Sequence, residues 1–267
     1  DYAHTPWSWH KTLFKTAKDI GLEIFSSPFD ETAVDLLENL RCPAYKIASS
    51  EINHIPLIER VAKTKKPVIL SIGLANLKDI YLAIKTLKKN GCKKIAILKC
   101  VASYPSPLSE QNLKVIPDIK KRFNVLSGLS DHTTGNACAL ASVVIGGSIV
   151  EKHFNLQDKS KTVDSFFSSN FKKFKEMVEN IRSAEQAIGK VDYNISKSSK
   201  KNLNGRRSIY VVRPIKKGEK FTTKNIRVIR PGYGLHPKFF KKIIGKISKK
   251  KLKEGTRFKK NFVRLFE

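Results

Sequence analysis

The chain has 267 residues, 40% of them hydrophobic, enough for one large domain or for a medium domain and a small one. A net charge of +29 raises nucleic acid as a partner, but the excess is mostly lysine spread over helix surfaces and the C-terminal third, without the interleaved aromatics of a base-stacking platform, so no nucleic-acid partner is expected. No apolar run approaches the roughly 18 residues of a membrane span, the first residues lack a signal-peptide pattern, and the scattered Cys42, Cys92, Cys100 and Cys138 read as reduced core or helix residues of a cytoplasmic protein.

Short apolar runs alternate with amphipathic stretches. The runs are Leu22–Phe25, Ala44–Ala48, Pro67–Leu70, Ile95–Leu98, Val125–Leu129 and Ser148–Val150. Helical patterns lie between and after them, at Asn76–Leu87, Glu110–Arg122 and Phe171–Ile188, and Asp30 followed by Glu31 and Thr32 reads as a helix start. Such alternation predicts an α/β fold with a parallel sheet covered by helices. Six strand–helix units are legible where an eight-fold (β/α) barrel needs two more, so the expectation is a TIM barrel lacking its first two units over residues 1–189. Residues 190–202 are mostly polar and read as a linker. Beyond them Ser208–Val212 and Ile226–Ile229 read as short strands, Lys216-Lys217-Gly218-Glu219 as a turn and Pro231-Gly232-Tyr233-Gly234 as a loop, giving a small β-rich domain over residues 203–267.

Two segments carry the densest chemistry, Ser130-Asp131-His132-Thr133 and Glu151-Lys152-His153-Phe154. Each follows an apolar run, and the histidines are about one strand-plus-helix unit apart. That spacing places both at the C-terminal ends of successive parallel strands, the face on which barrel active sites are built. Two neutral imidazoles converging there suit a catalytic divalent metal, although spacing alone fits two buried, hydrogen-bonded histidines equally well. The other strand ends repeat a theme. Lys46, Ser49 and Glu51 close the second visible strand, Ser26-Ser27 the first and Ser71 the third, and Ser103-Tyr104 follow the fourth. Hydroxyls around one lysine are what an oxyanion such as phosphate requires, and the positive field would steer a small anionic substrate to them.

These motifs resemble, in order, those of the sialic acid synthase family, and most closely its pseudaminic acid synthase branch. The matching stretches are Phe25-Ser26-Ser27-Pro28-Phe29, Tyr45-Lys46-Ile47-Ala48-Ser49, Lys99-Cys100 with Tyr104-Pro105, the two histidine segments, and Asp164-Ser165 with Phe167-Ser168. Asn204-Gly205-Arg206-Arg207-Ser208 and Arg230-Pro231-Gly232 resemble the family's C-terminal antifreeze-like (SAF) domain. Thr5-Pro6-Trp7-Ser8-Trp9-His10 and Arg230–Pro237 point to the pseudaminic branch. The resemblance implies condensation of phosphoenolpyruvate with an N-acetylated amino sugar, here 2,4-diacetamido-2,4,6-trideoxy-L-altrose, giving a nine-carbon 2-keto acid and phosphate. It implies His132 and His153 as ligands of Mn²⁺ or Mg²⁺, with Lys46, Ser49, Ser71 and Ser130 holding phosphoenolpyruvate and Ser27 and Tyr104 completing the substrate-binding set. Glu51 and Asp164 would be the catalytic carboxylates, Glu51 handling protons or the water that attacks C2 and Asp164 binding the sugar or a metal-side water. Arg230 would reach the acetamido group from the small domain of a domain-swapped homodimer. Trp7, Trp9 and Tyr233 are candidate walls of an apolar sugar pocket. Three departures stand out: Ile72 replaces a common threonine after Ser71, Ala102 stands where the neuraminic branch usually has asparagine, and the family's Glu and Lys from its first two strands have no counterpart. The alternatives are an N-acetylneuraminate or legionaminate synthase, or an inactive truncated paralogue that still binds sugar.

Overall fold

The structure, a computed structural model, describes residues 5–156 and 162–263. The chain divides into two compact units, Asp1–Gly189 and Lys190–Glu267. In the first, β1 (Tyr45–Ile47), β2 (Val68–Ser71), β3 (Ile95–Cys100), β4 (Leu126–Asp131) and β5 (Ile149–Lys152) form one parallel sheet in that order, curled into a half-barrel. Its helices are α1 (Trp7–Asp19), α2 (Glu31–Asn39), α3 (Ile55–Lys63), α4 (Leu77–Lys89), α5 (Val115–Phe123), α6 (Ala137–Val144) and α7 (Phe171–Ile188).

Side chains alternate across a strand, and the alternation sorts the sheet into two chemistries. Tyr45, Ile47, Val68, Leu70, Ile95 and Ile97 face outward and pack with Leu57, Ile58, Val61, Ala83, Ile84 and Leu87 of α3 and α4 in the main core. The intervening residues, ending in Lys46, Ser71, Cys100, Ser130 and Glu151, face the concave side. An apolar outer face anchored by helices therefore leaves polar groups at the C-terminal end of the inner face.

Local signals set the helix ends. Asp30 accepts from Ala33 N at 2.8 Å and starts α2, and Asn76 with Asp79 forms a capping box on α4. The helix expected over 110–122 is split into a 3₁₀ turn at Leu108–Glu110 and α5, because Asn112 adopts a positive φ of 44°. The first expected strand, Leu22–Phe25, is not one. Leu22 and Phe25 are exposed, and only Ser26 pairs, in a single parallel bridge to Tyr45. The strands expected at Val125–Leu129 and Ser148–Val150 run on to Asp131 and Lys152, so the ladder itself takes in the first halves of both histidine segments.

Gly128 pairs with Ile149 across β4 and β5, and a Cβ there would lie 2.1 Å from the Ile149 carbonyl oxygen. Gly128→Ala should therefore lower stability by about 3 kcal/mol through forced separation of the two strands. A thermal melt checks this, and an unchanged Tm would show that the strands part at no cost.

In the second unit, α8 (Lys197–Lys200) is a single turn capped by Ser196 within the expected linker. The strands β6 (Ser208–Val211) and β7 (Ile226–Ile229) pair antiparallel, and α9 (Phe240–Ile243) follows. Phe221, Phe258, Ile209, Ile226 and Ile243 fill its own core. Gly218 takes the positive φ of the expected turn, where Glu219 N donates to Lys216 O. Among the described residues no helix is long and apolar enough to cross a membrane, and all four cysteines are free and buried.

Candidate active site

Lys46 is the electrostatic centre of the concave face. Its residue is 8% exposed, and its Nζ donates to Ser71 Oγ at 2.8 Å and lies 3.5 Å from Glu151 Oε1. Ser130 Oγ donates to the same carboxylate oxygen at 2.6 Å. Strand register explains the cluster, since Ser130 and Glu151 are direct partners on β4 and β5. Ser49, also buried, opens the 3₁₀ turn that leaves β1, and Ser27 is half-buried beside the Ser26 bridge. A lysine amid hydroxyls, with one carboxylate alongside, can bind a small phosphorylated acid.

His132 and His153 leave β4 and β5 one residue beyond the ladder, and their ring centroids stand 5.3 Å apart. His132 is buried, with Nδ1 at 2.9 Å from the Val101 carbonyl oxygen. A carbonyl only accepts, so Nδ1 carries the proton, and Nε2, the other ring nitrogen, lies 3.5 Å from Ser130 Oγ. A hydrogen bond of this kind fixes the ring and would orient it for a metal on the other nitrogen. His153 is more open, with Nδ1 at 3.5 Å from Asp164 Oδ2. Burial, and then the neighbouring His132, push its pKa below the ordinary imidazole value and favour the neutral, ligating form.

Cys100 Sγ lies 3.8 Å from His132 Nδ1, but burial pushes the thiol up, so it is a neutral S–H and not a thiolate ligand. Among the described residues no group of three or more His, Cys, Asp or Glu is arranged to hold a metal ion. The donors present do not fit a closed four-ligand structural site. Two neutral imidazoles would suit an open divalent-cation site, with His132 and His153 as the residues that would hold the ion.

Two rings line the histidines. Tyr104 lies 4.3 Å from His132 and Phe167 lies 4.7 Å from His153, centroid to centroid, with 5.3 Å between the two aromatics. Tyr104 was legible in the sequence; Phe167 was visible only as part of a motif. Trp7 and Trp9 instead lie half-exposed on α1, a helix that buries no residue. Glu51 faces His54, with Oε2 at 3.8 Å from Nδ1, at the start of the loop after β1. In the second unit Arg230 Nε donates to Gly205 O at 2.6 Å, and Tyr233 stacks under Arg257 at 4.6 Å.

Sequence reasoning missed Glu151 as a site residue, although it opens the segment that contains His153. The available signal was parity: Glu151 and His153 share a strand face, and Lys152 takes the other.

Residues 1–193 match the NeuB family and residues 206–264 match the SAF domain. The chain is 44% identical over 255 residues to pseudaminic acid synthase of Helicobacter pylori, covering 95% of this chain and 75% of that protein. It is 38% identical to N,N'-diacetyllegionaminic acid synthase of Campylobacter jejuni over 92% of this chain and 74% of that protein. The spore coat polysaccharide biosynthesis protein SpsE of Bacillus subtilis superposes with a TM-score of 0.66 at 33% identity, over 99% of this chain and 79% of that one. With a NeuB match over most of its length and sugar-acid synthases among its relatives, the chain belongs to the NeuB family.

Proposed function

We propose that the protein is a pseudaminic acid synthase. It would condense phosphoenolpyruvate with 2,4-diacetamido-2,4,6-trideoxy-L-altrose and release inorganic phosphate. The observation that carries this reading is the Lys46–Ser71–Glu151–Ser130 cluster on the same concave face as the paired imidazoles of His132 and His153.

In this reading Lys46, Ser71, Ser49, Ser27 and Ser130 hold the phosphate and carboxylate of phosphoenolpyruvate. His132 and His153 hold Mn²⁺ or Mg²⁺, which supplies Lewis-acid polarisation of the aldehyde oxygen when bound. C3 of phosphoenolpyruvate forms the new bond to the aldehyde carbon. A water oxygen joins C2, the C2–O bond to phosphate breaks, and the water oxygen remains as the keto group. Glu51 handles that water or its proton, and Asp164 holds the sugar or the outer side of His153. Arg230 serves the acetamido group from the SAF domain, with the protein acting as a homodimer. Tyr104 and Phe167 give the sugar an apolar wall, which suits a substrate ending in a methyl group.

A second reading, a legionaminate or N-acetylneuraminate synthase, draws on the 38% identity to the legionaminic enzyme. Comparing kcat/KM for the altrose derivative and N-acetylmannosamine separates the two. The expected preference for the altrose derivative is about 10²-fold, since an apolar pocket rejects an added hydroxyl only modestly. Equal or better efficiency with N-acetylmannosamine would move the protein to the neuraminate branch.

A further inference from the structure

Behind the two histidines, on the outward face of the sheet, lies an ion pair that the reaction above does not use. Asp131 and Lys152 are direct cross-strand partners on β4 and β5. Their side chains are 0% and 2% exposed, and Lys152 Nζ lies 2.8 Å from Asp131 Oδ2. Lys152 Nζ also donates to the Thr133 carbonyl at 2.7 Å. The other oxygen, Asp131 Oδ1, accepts from Thr133 N at 2.9 Å and from Thr133 Oγ1 at 2.7 Å.

The bond from Thr133 N closes an Asx turn across residues 131–133, and His132 is its middle residue. Each member of the pair is also adjacent in sequence to a residue of the site: Asp131 lies between Ser130 and His132, and Lys152 between Glu151 and His153. Strand parity directs these neighbours to the concave face while the pair points away. A desolvated charge pair with its remaining atoms hydrogen-bonded holds a single geometry, because any slip leaves a charge buried without a partner.

We propose that Asp131 and Lys152 are positioning residues: a buried clip that locks the ends of β4 and β5 in register and sets the angle at which His132 and His153 meet. This rests on the synthase reading only in what the histidines are positioned for.

The test compares wild type, Lys152→Met and the double variant Asp131→Leu/Lys152→Met. Lys152→Met should lower Tm strongly, because it strands the carboxylate. The double variant removes both charges and should recover much of the lost Tm, short of wild type because the Thr133 N–H, hydroxyl and carbonyl lose their partners. If the pair positions the histidines, the double variant should still bind Mn²⁺ about 10- to 100-fold more weakly in a calorimetric titration, the range for losing outer-shell support. Its kcat should fall by a similar factor while KM for phosphoenolpyruvate rises less, because Lys46 and Ser71 stand on β1 and β2, away from the pair. Wild-type Mn²⁺ affinity and kcat at a recovered Tm would overturn the proposal. Should the double variant fail to fold, Lys152→Arg decides. It keeps the charge but changes the donor geometry, so weakened Mn²⁺ binding at a held Tm supports the clip and unchanged binding overturns it. The His132 ring ¹⁵N spectrum, read without substrate or metal, separates this from failure of the synthase reading. Loss of the single Nδ1-protonated form in the double variant supports the clip, and an unchanged spectrum overturns it, whether or not the wild type condenses the two substrates.

Discussion

His132→Ala and His153→Ala should each lower kcat by at least about 10³-fold while leaving the protein folded, because each removes one of the two nitrogen donors that would hold the divalent cation. The two substitutions differ in structural cost. His132 is 5% exposed and its ring N–H satisfies the Val101 carbonyl, so its removal leaves that carbonyl unpaired and should cost about 1–3 kcal/mol. The His153 side chain is 34% exposed and meets Asp164 at 3.5 Å, so its removal should cost less, about 1 kcal/mol, chiefly from its ring contact with Phe167. His153→Ala is therefore the cleaner experiment: turnover and bound Mn²⁺ should fall together at a nearly unchanged melting temperature. Normal turnover by either variant, with metal content unaltered, would end the assignment and leave two structural histidines.

Much of this site was legible because strand ends are punctuated in sequence. The apolar runs ending at Leu70, Leu98, Leu129 and Val150 placed Ser71, Ser130, His132 and His153 on one rim, and the structure puts Lys46, Ser71 and Ser130 in one hydrogen-bonded cluster beside the paired imidazoles. Legibility failed where function depends on pairing. Leu22–Phe25 has the composition of a strand but only the Ser26 bridge to make it one, and composition cannot report the absence of a neighbour. Glu151 and the Asp131–Lys152 pair were not singled out because each histidine segment was read as a strand end, and the register of the ladder is what sends alternate residues to opposite faces. Glu51 was read from its place at a strand end, yet a 3₁₀ turn over Ser49–Glu51 sets its direction, and it faces His54. The SAF unit was legible from its turns, since Gly218 and the paired strands fall where the sequence put them.

Lys46→Met should raise KM for phosphoenolpyruvate and lower kcat/KM by about 10²- to 10³-fold, the range for losing one preorganised charge at a reacting anion. Two effects combine in that loss. The methionine stem preserves packing in a position that is 8% exposed, so the fold should survive, but Ser71 loses the cation that fixes its hydroxyl. In addition Glu151, now without its partner at 3.5 Å, presents an uncompensated carboxylate to an anionic substrate. The second effect can be isolated. In Lys46→Met/Glu151→Gln the repulsion is gone, while Gln still accepts from Ser130, so about tenfold of kcat/KM should return, a coupling typical of groups in one network. Glu151→Gln alone should be harmful, since it removes the charge that draws Lys46 toward β5 and weakens the acceptor of the Ser130 hydroxyl. A double variant that is worse than Lys46→Met by the full cost of Glu151→Gln would show that the two residues act independently. The cluster would then be a row of separate contacts, and the phosphoenolpyruvate site would have to be sought elsewhere on the rim.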